Sequence, residues 1–153
     1  MTYLWDTNIL IHYIRNSEKY VEWNKQYTFF ENANQVVLSV INIGEIESLA
    51  YQLNWGFARR QRLQELLNQT QLLNIYQETI YAYAEIDAFS QNKLPNRPLK
   101  TTARNMGKND IWLAATAHVG QFKFVTTDND FEHLDTIFID LLRLSVLDQD
   151  SIT

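Results

Sequence analysis

The sequence predicts an α/β layer protein with a mainly parallel central sheet, and three observations carry that reading. Short apolar or β-branched runs (residues 3–5, 35–40 and 123–127) are separated by longer segments of helical spacing. Glycine and proline are few, and none falls inside a strand candidate. Connections of this length between strands are right-handed crossovers, which bring strand C-termini to one edge of the sheet.

The elements follow in order. Tyr3-Leu4-Trp5 is a buried strand that turns at Asp-Thr-Asn into a helix carrying Ile9, Leu10, Ile11, Tyr13 and Ile14. Residues 18–32 form a second helix with Tyr20, Trp23, Tyr27 and Phe30 along its inner side. Residues 35–40 (QVVLSV) are a strand. Helices are expected over 42–53 and 57–69, with Gly56 at the break. Residues 72–76 form a short strand, and 79–92 a helix that stops before Pro95. Residues 93–108 hold both prolines and read as loop. A compact helix over 109–119 is closed by Gly120 as its cap, and strands follow at 123–127 and 137–141.

With 153 residues the chain suits one domain, 1–153, having a real core. No run nears the roughly 18 apolar residues of a membrane span, and the first residues lack the charges and apolar stretch of a secretory signal. The absence of cysteine excludes disulfides, thiolate metal sites and cysteine nucleophiles, and fits the cytoplasm. A net charge of −5 repels nucleic acid at long range, so a nucleic-acid partner needs a local basic patch or metal ions.

Three acids are expected to meet at the C-terminal edge of the sheet. Asp6 ends the first strand, Asp128 ends the strand at 123–127, and Glu45 lies in the first turn of the helix after the second strand. Asp110 stands apart: its helix precedes a strand, so by this reasoning it starts at the opposite edge unless the approach over 93–108 or a tilted helix brings it across. Each acid also has an ordinary structural role. Asp6 can cap the helix it precedes, Asn42-x-x-Glu45 fits a capping box, Asp110 favours a helix N-terminus, and Asp128-Asn129-Asp130 is turn chemistry. Their joint occurrence points further. Clustered carboxylates resist common ionisation unless a cation compensates them, and all-oxygen ligands favour Mg²⁺ or Mn²⁺. Such a site can activate water and neutralise a phosphodiester, which leaves a 5′-phosphate and a 3′-OH.

Residues 4–10 (LWDTNIL) resemble the opening of a PIN domain, specifically that of the VapC-type toxin ribonucleases. Ser39 with Gly44-Glu45-Ile46, then residues 107–117 (GKNDIWLAATA), then residues 125–131 (VTTDNDF), resemble the family's later acidic motifs in order. The resemblance implies a three-layer α/β/α fold and Mg²⁺- or Mn²⁺-dependent endoribonuclease activity. It carries metal-binding and catalytic roles onto Asp6, Glu45, Asp110 and Asp128, and so brings Asp110 into the site. Asn8 and Thr126 become auxiliary residues that orient carboxylates or water. Asp128 matches the metal position by register, with Asp130 an auxiliary ligand or cap. The family also implies a cognate antitoxin partner and a homodimer. Glu45 is followed by Ile-Glu-Ser-Leu where many relatives carry a glycine.

Lys93, Arg97, Lys100, Arg104 and Lys108 form the one dense basic stretch and are candidates for RNA phosphate contact, against the reading of a solvated loop. Arg59, Arg60 and Arg62 read as a solvated helix face; His12, His118 and His133 show no ligand spacing. The competing functional class is a PIN-like module that binds metal, RNA or a partner without catalysis. A phosphoacceptor receiver domain would need paired N-terminal acids and an Asp ending the second strand, and neither is present.

Overall fold

A computed structural model of the chain describes residues 1–147; the end of the expected domain, 148–153, lies outside the described residues. Five strands form one sheet in the order β3-β2-β1-β4-β5, with every neighbouring pair parallel. They are β1 (Thr2–Trp5), β2 (Gln35–Ser39), β3 (Gln71–Leu73), β4 (Lys123–Thr126) and β5 (Asp140–Arg143). The helices are α1 (Thr7–Arg15), α2 (Glu18–Tyr27), α3 (Val40–Gln52), α4 (Phe57–Gln69), α5 (Gln77–Ser90) and α6 (Lys108–Gly120). Helices cover both faces, so the fold is a three-layer α/β/α sandwich.

Strand alternation sorts the core into two layers. Tyr3, Trp5, Val36, Leu38 and Val125 face α1, α2, α4 and the inner side of α3. Leu4, Val37 and Phe124 face α5, α6 and the segment leading to β5. Trp5, fully buried, is ringed by Tyr13, Tyr20, Phe29 and Phe30 at centroid distances of 5.3–6.0 Å. That aromatic nest anchors the strand ending in Asp6, and aromatic pairs of this kind add about 0.5–1.5 kcal/mol each beyond area burial.

Several boundaries differ from the sequence expectations. The second helix ends at Tyr27, where Thr28 turns left-handed at φ 47°, so Phe29 enters the core in full and Phe30 only in part. Ser39 caps α3: its Oγ accepts from Ile41 N, while Asn42 Oδ1 accepts from Ser39 N at 2.8 Å. The capping box is therefore Ser39–Asn42, not Asn42–Glu45, and Glu45 sits in the second turn rather than the first. β3 is shorter than 72–76, and β5 begins at Asp140 rather than 137, because the chain must first cross from one edge to the other through the short 3₁₀ turn Glu132–Leu134. Gln121, at φ 53°, is the cap of α6, whereas Gly120 is its last residue, kept small by the Phe122 ring lying where a Cβ would stand.

Among the described residues no helix is long and apolar enough to cross a membrane.

Candidate metal centre

The end of β1 is fixed to β4 by Asp6 N donating to Val125 O, and the Asp6 side chain is buried at 6 % exposure. Its Oδ1 accepts from Thr7 N at 2.7 Å, so it does cap α1; its Oδ2 accepts from Thr126 Oγ1 at 2.6 Å. The same Thr126 oxygen accepts from Asp128 N at 3.0 Å. One fully buried hydroxyl thus ties the first acid to the backbone of the last. Asp128 in turn accepts from Asp130 N at 2.9 Å, the turn expected of this segment. The cap and turn roles expected of Asp6 and Asp128 are thus both present.

Glu45 is held by Thr7, whose Oγ1 donates to its Oε1 at 2.8 Å and accepts from Asn42 Nδ2 at 3.2 Å. The expectation that Asp110 starts at the opposite edge is overturned. α6 delivers the chain to the N-terminal end of a parallel strand, so it runs antiparallel to the sheet and begins at the C-terminal edge, beside the other acids. Gly107, which caps it, leaves room for the carboxylate: a Cβ there would lie 3.0 Å from Asp110 Oδ2.

Electrostatics tie the acids together. Burial pushes Asp6 up to about 6; the hydrogen bonds from Thr126 and Thr7 pull against that, while the charges of Asp110 and Glu45 add to it. Burial also raises Asp110 to about 6, reinforced by Asp128, Glu45 and Asp130. Asp110, which edge reasoning would have omitted, feels most of the cluster. The ion pairs among the described residues involve none of the four acids.

The donor set fits a hard divalent cation: four carboxylates, no thiolate, no imidazole, and strong mutual repulsion to relieve. Asn8 Oδ1, two residues beyond Asp6, is buried without a hydrogen-bond partner. As they stand, however, no three Asp, Glu, His or Cys side chains among the described residues are placed to hold an ion together. Asp6, Glu45 and Asp128 accept from neighbouring N–H and O–H donors, and an ion would have to draw them in.

The basic stretch divides. Arg104 Nη1 reaches Asp130 O at 3.5 Å, and Lys108 opens α6 next to the acids; Lys93 and Lys100 are exposed on the loop. Arg97 instead lies over the Phe138 ring, 4.6 Å from its centroid, near the start of β5 and so toward the far edge. The arginines of α4 are not simply solvated. Arg60 pairs with Glu47, and Arg62 donates to Tyr13 O while lying over the Tyr13 ring. Sequence reasoning missed Thr7 and Asn42, whose roles show only once α1 and α3 are side by side. It also missed Arg143, which holds the acidic turn through Asn129 Oδ1 at 2.6 Å and Glu132.

Thr126→Val keeps the shape and removes both hydrogen bonds. It is expected to cut any metal-dependent activity about 10–100-fold, read as kcat/KM at fixed Mn²⁺. Unchanged activity would deny Thr126 an orienting role.

The family model described as PIN domain matches residues 3–137. No curated protein matches the chain. Among solved structures, the chain is similar to VapBC2 from Rickettsia felis bound to a promoter DNA fragment (18% identity, 95% of this chain and 100% of the other, TM-score 0.76). It is also similar to FitAcB from Neisseria gonorrhoeae (22% identity, 92% and 96%, TM-score 0.69). VapBC-5 from Mycobacterium tuberculosis, a member of the VapBC family of toxin-antitoxin systems, matches at 19% identity over 94% and 98%, with TM-score 0.62. At these identities the likeness shows a shared fold.

Proposed function

Because this chain belongs to the PIN domain family, we propose that it is a Mg²⁺- or Mn²⁺-dependent endoribonuclease and the toxin of a toxin–antitoxin pair. The observation that carries the nuclease reading is the acid cluster at the sheet's C-terminal edge, where Asp6 and Asp110 are both raised to about 6 and, among the described residues, none of the four acids is ion-paired. The toxin reading rests on solved proteins of the same fold, described as members of toxin-antitoxin systems.

Asp6, Glu45, Asp110 and Asp128 would hold the ion. When bound, it supplies Lewis-acid neutralisation of a phosphodiester and a lowered pKa for an attacking water. The chain's own residues prepare for this. Thr126 and Thr7 orient Asp6 and Glu45, fixing the lone pairs each presents. Arg104 and Lys108 flank the acids with positive charge, where an RNA strand's phosphates need relief from the acidic surface. Asn8 Oδ1, buried without a hydrogen-bond partner beside Asp6, is an acceptor this site leaves unused.

The test incubates the protein with single-stranded RNA in Mg²⁺ or Mn²⁺ and sequences the product ends. Cleavage that stops with EDTA and leaves 5′-phosphates is expected. Cleavage that persists in EDTA, or leaves cyclic 2′,3′-phosphates, would contradict the mechanism. Growth arrest on expression in bacteria, relieved by a co-expressed small partner gene, tests the toxin role; growth without arrest would count against it.

A further inference from the structure

Beside the acid cluster lies an open groove of about 590 Å³ between α1 and α3, with Asn109 of α6 also in its lining. Ile41, Gly44, Glu45, Ser48, Leu49 and Gln52 form one face of α3 along it, at the spacing of a helical stripe. Gly44 is the informative residue. Glycine inside a helix costs roughly 0.5–1 kcal/mol relative to alanine. Its backbone does not demand glycine, because no glycine has positive φ among the described residues. Nor does packing, since nothing lies within 4 Å of where its Cβ would stand. What the missing side chain leaves is space in the groove.

Charge selects the occupant. The lining contains no cation, and Glu45 stands at the end beside the metal centre, so a phosphate is disfavoured there. The walls offer Ile11, Ile41 and Leu49 as apolar surface, and Ser48, Gln52 and Asn109 as donors and acceptors at the rim. Gln52 Nε2 is already turned to Ser48 Oγ at 2.9 Å. An uncharged flat ring with a hydrogen-bonding edge suits such a surface, and proteins read single-stranded RNA by taking up unstacked bases in this way. Resting on the nuclease reading above, we propose that this groove is a nucleobase subsite, which receives the base of a nucleotide flanking the cut. Gly44 keeps it open, and Gln52 and Asn109 determine which base is preferred.

Two arms keep this inference separable from the nuclease reading. The first titrates the isotope-labelled full chain, without added metal, with each of the four ribonucleosides and with leucine amide, and follows backbone amides by NMR. Saturable shifts at Gly44, Ser48 and Asn109 with at least one nucleoside are expected, and Gly44→Leu should lose them while its Tm is equal or higher. The second arm maps cleavage of a random RNA pool with Mn²⁺. Gly44→Leu is expected to raise KM about tenfold or more and flatten the base preference beside the cut, and Gln52→Ala and Asn109→Ala to change that preference. Nucleoside shifts without RNA cleavage would overturn the nuclease reading, and with it the place of the groove beside a cut, while supporting base binding in the groove. Cleavage with unaltered KM and base preference in Gly44→Leu would overturn the subsite alone. Groove shifts with leucine amide and with no nucleoside would assign the groove to a peptide, and so overturn it too.

Discussion

Asp6→Asn is expected to lower RNA cleavage by at least about 10³-fold while making the metal-free protein more stable at pH 8. The loss follows from removing the most buried of the four carboxylates, since the charge stabilisation an ion supplies is worth several kcal/mol and each 1.36 kcal/mol is tenfold. The gain follows from the same burial. Asp6 has a pKa of about 6 in the fold against an ordinary 3.8, so the folded chain holds its proton more tightly than the unfolded chain does. The stability this contributes is complete below about 3.8 and is lost as pH rises through about 6. At pH 8 the wild type therefore carries a buried charge it would be more stable without. Asparagine relieves about 1–3 kcal/mol, or a few degrees in Tm for a chain of this size. Denaturant melts and initial rates on one preparation check both halves. A folded Asp6→Asn protein that cleaves at near wild-type rate, or one that melts well below wild type at pH 8, would contradict the account.

The second large effect is on metal-free stability across pH. Asp110 is also raised to about 6, chiefly by burial and then by Asp128, Glu45 and Asp130, so its contribution runs in the same sense as that of Asp6. The Tm difference between the Asp6→Asn/Asp110→Asn double variant and wild type, both in EDTA, should be small below about pH 3.8, widen as pH rises to about 6 and then level off through pH 8. The comparison between variants matters because buried His133, depressed to about 4, works the other way: its folded form stays neutral, so stability is lost as pH falls below about 6.5. That term is common to both proteins and cancels. Excess Mn²⁺ at pH 8 should raise the wild-type Tm by mass action, about 2.7 kcal/mol at a hundredfold excess over Kd, and leave the double variant unmoved. A gap that is constant with pH, or a metal response shared by both proteins, would speak against a repulsive carboxylate cluster.

How far the sequence reaches differs from residue to residue. The strands at Tyr3–Trp5, 35–40 and 123–127 were readable because their apolar runs are short and flanked by turn residues. The start of β5 was not, because Ile137, Phe138 and Ile139 are apolar for a different reason: two of them fill the α5–α6 layer before the strand begins. Asp6 and Asp128 could be placed from strand ends alone. Asp110 could not, since treating its helix as starting at the far edge ignored that a helix feeding a parallel strand must run back against it. Family resemblance supplied that residue, and the structure gives the geometric reason. Thr7 and Asn42 lie 35 residues apart, and no local pattern announces that a threonine hydroxyl in the first turn of α1 will link to a carboxylate and an amide on α3. Gly44 was visible as a motif residue, but its open surroundings are a property of the assembled groove.

The central claim is that Asp6, Glu45, Asp110 and Asp128 together hold a divalent cation, and Mn²⁺ titration of the metal-free full chain at pH 7.5, followed by the EPR signal of the free ion, tests it without relying on catalysis. Saturable binding by the wild type is expected, weakened about tenfold or more in each single amide variant: Asp6→Asn, Glu45→Gln, Asp110→Asn and Asp128→Asn. A wild-type chain that leaves the free-ion signal untouched, or four variants that bind as tightly as wild type, would contradict it.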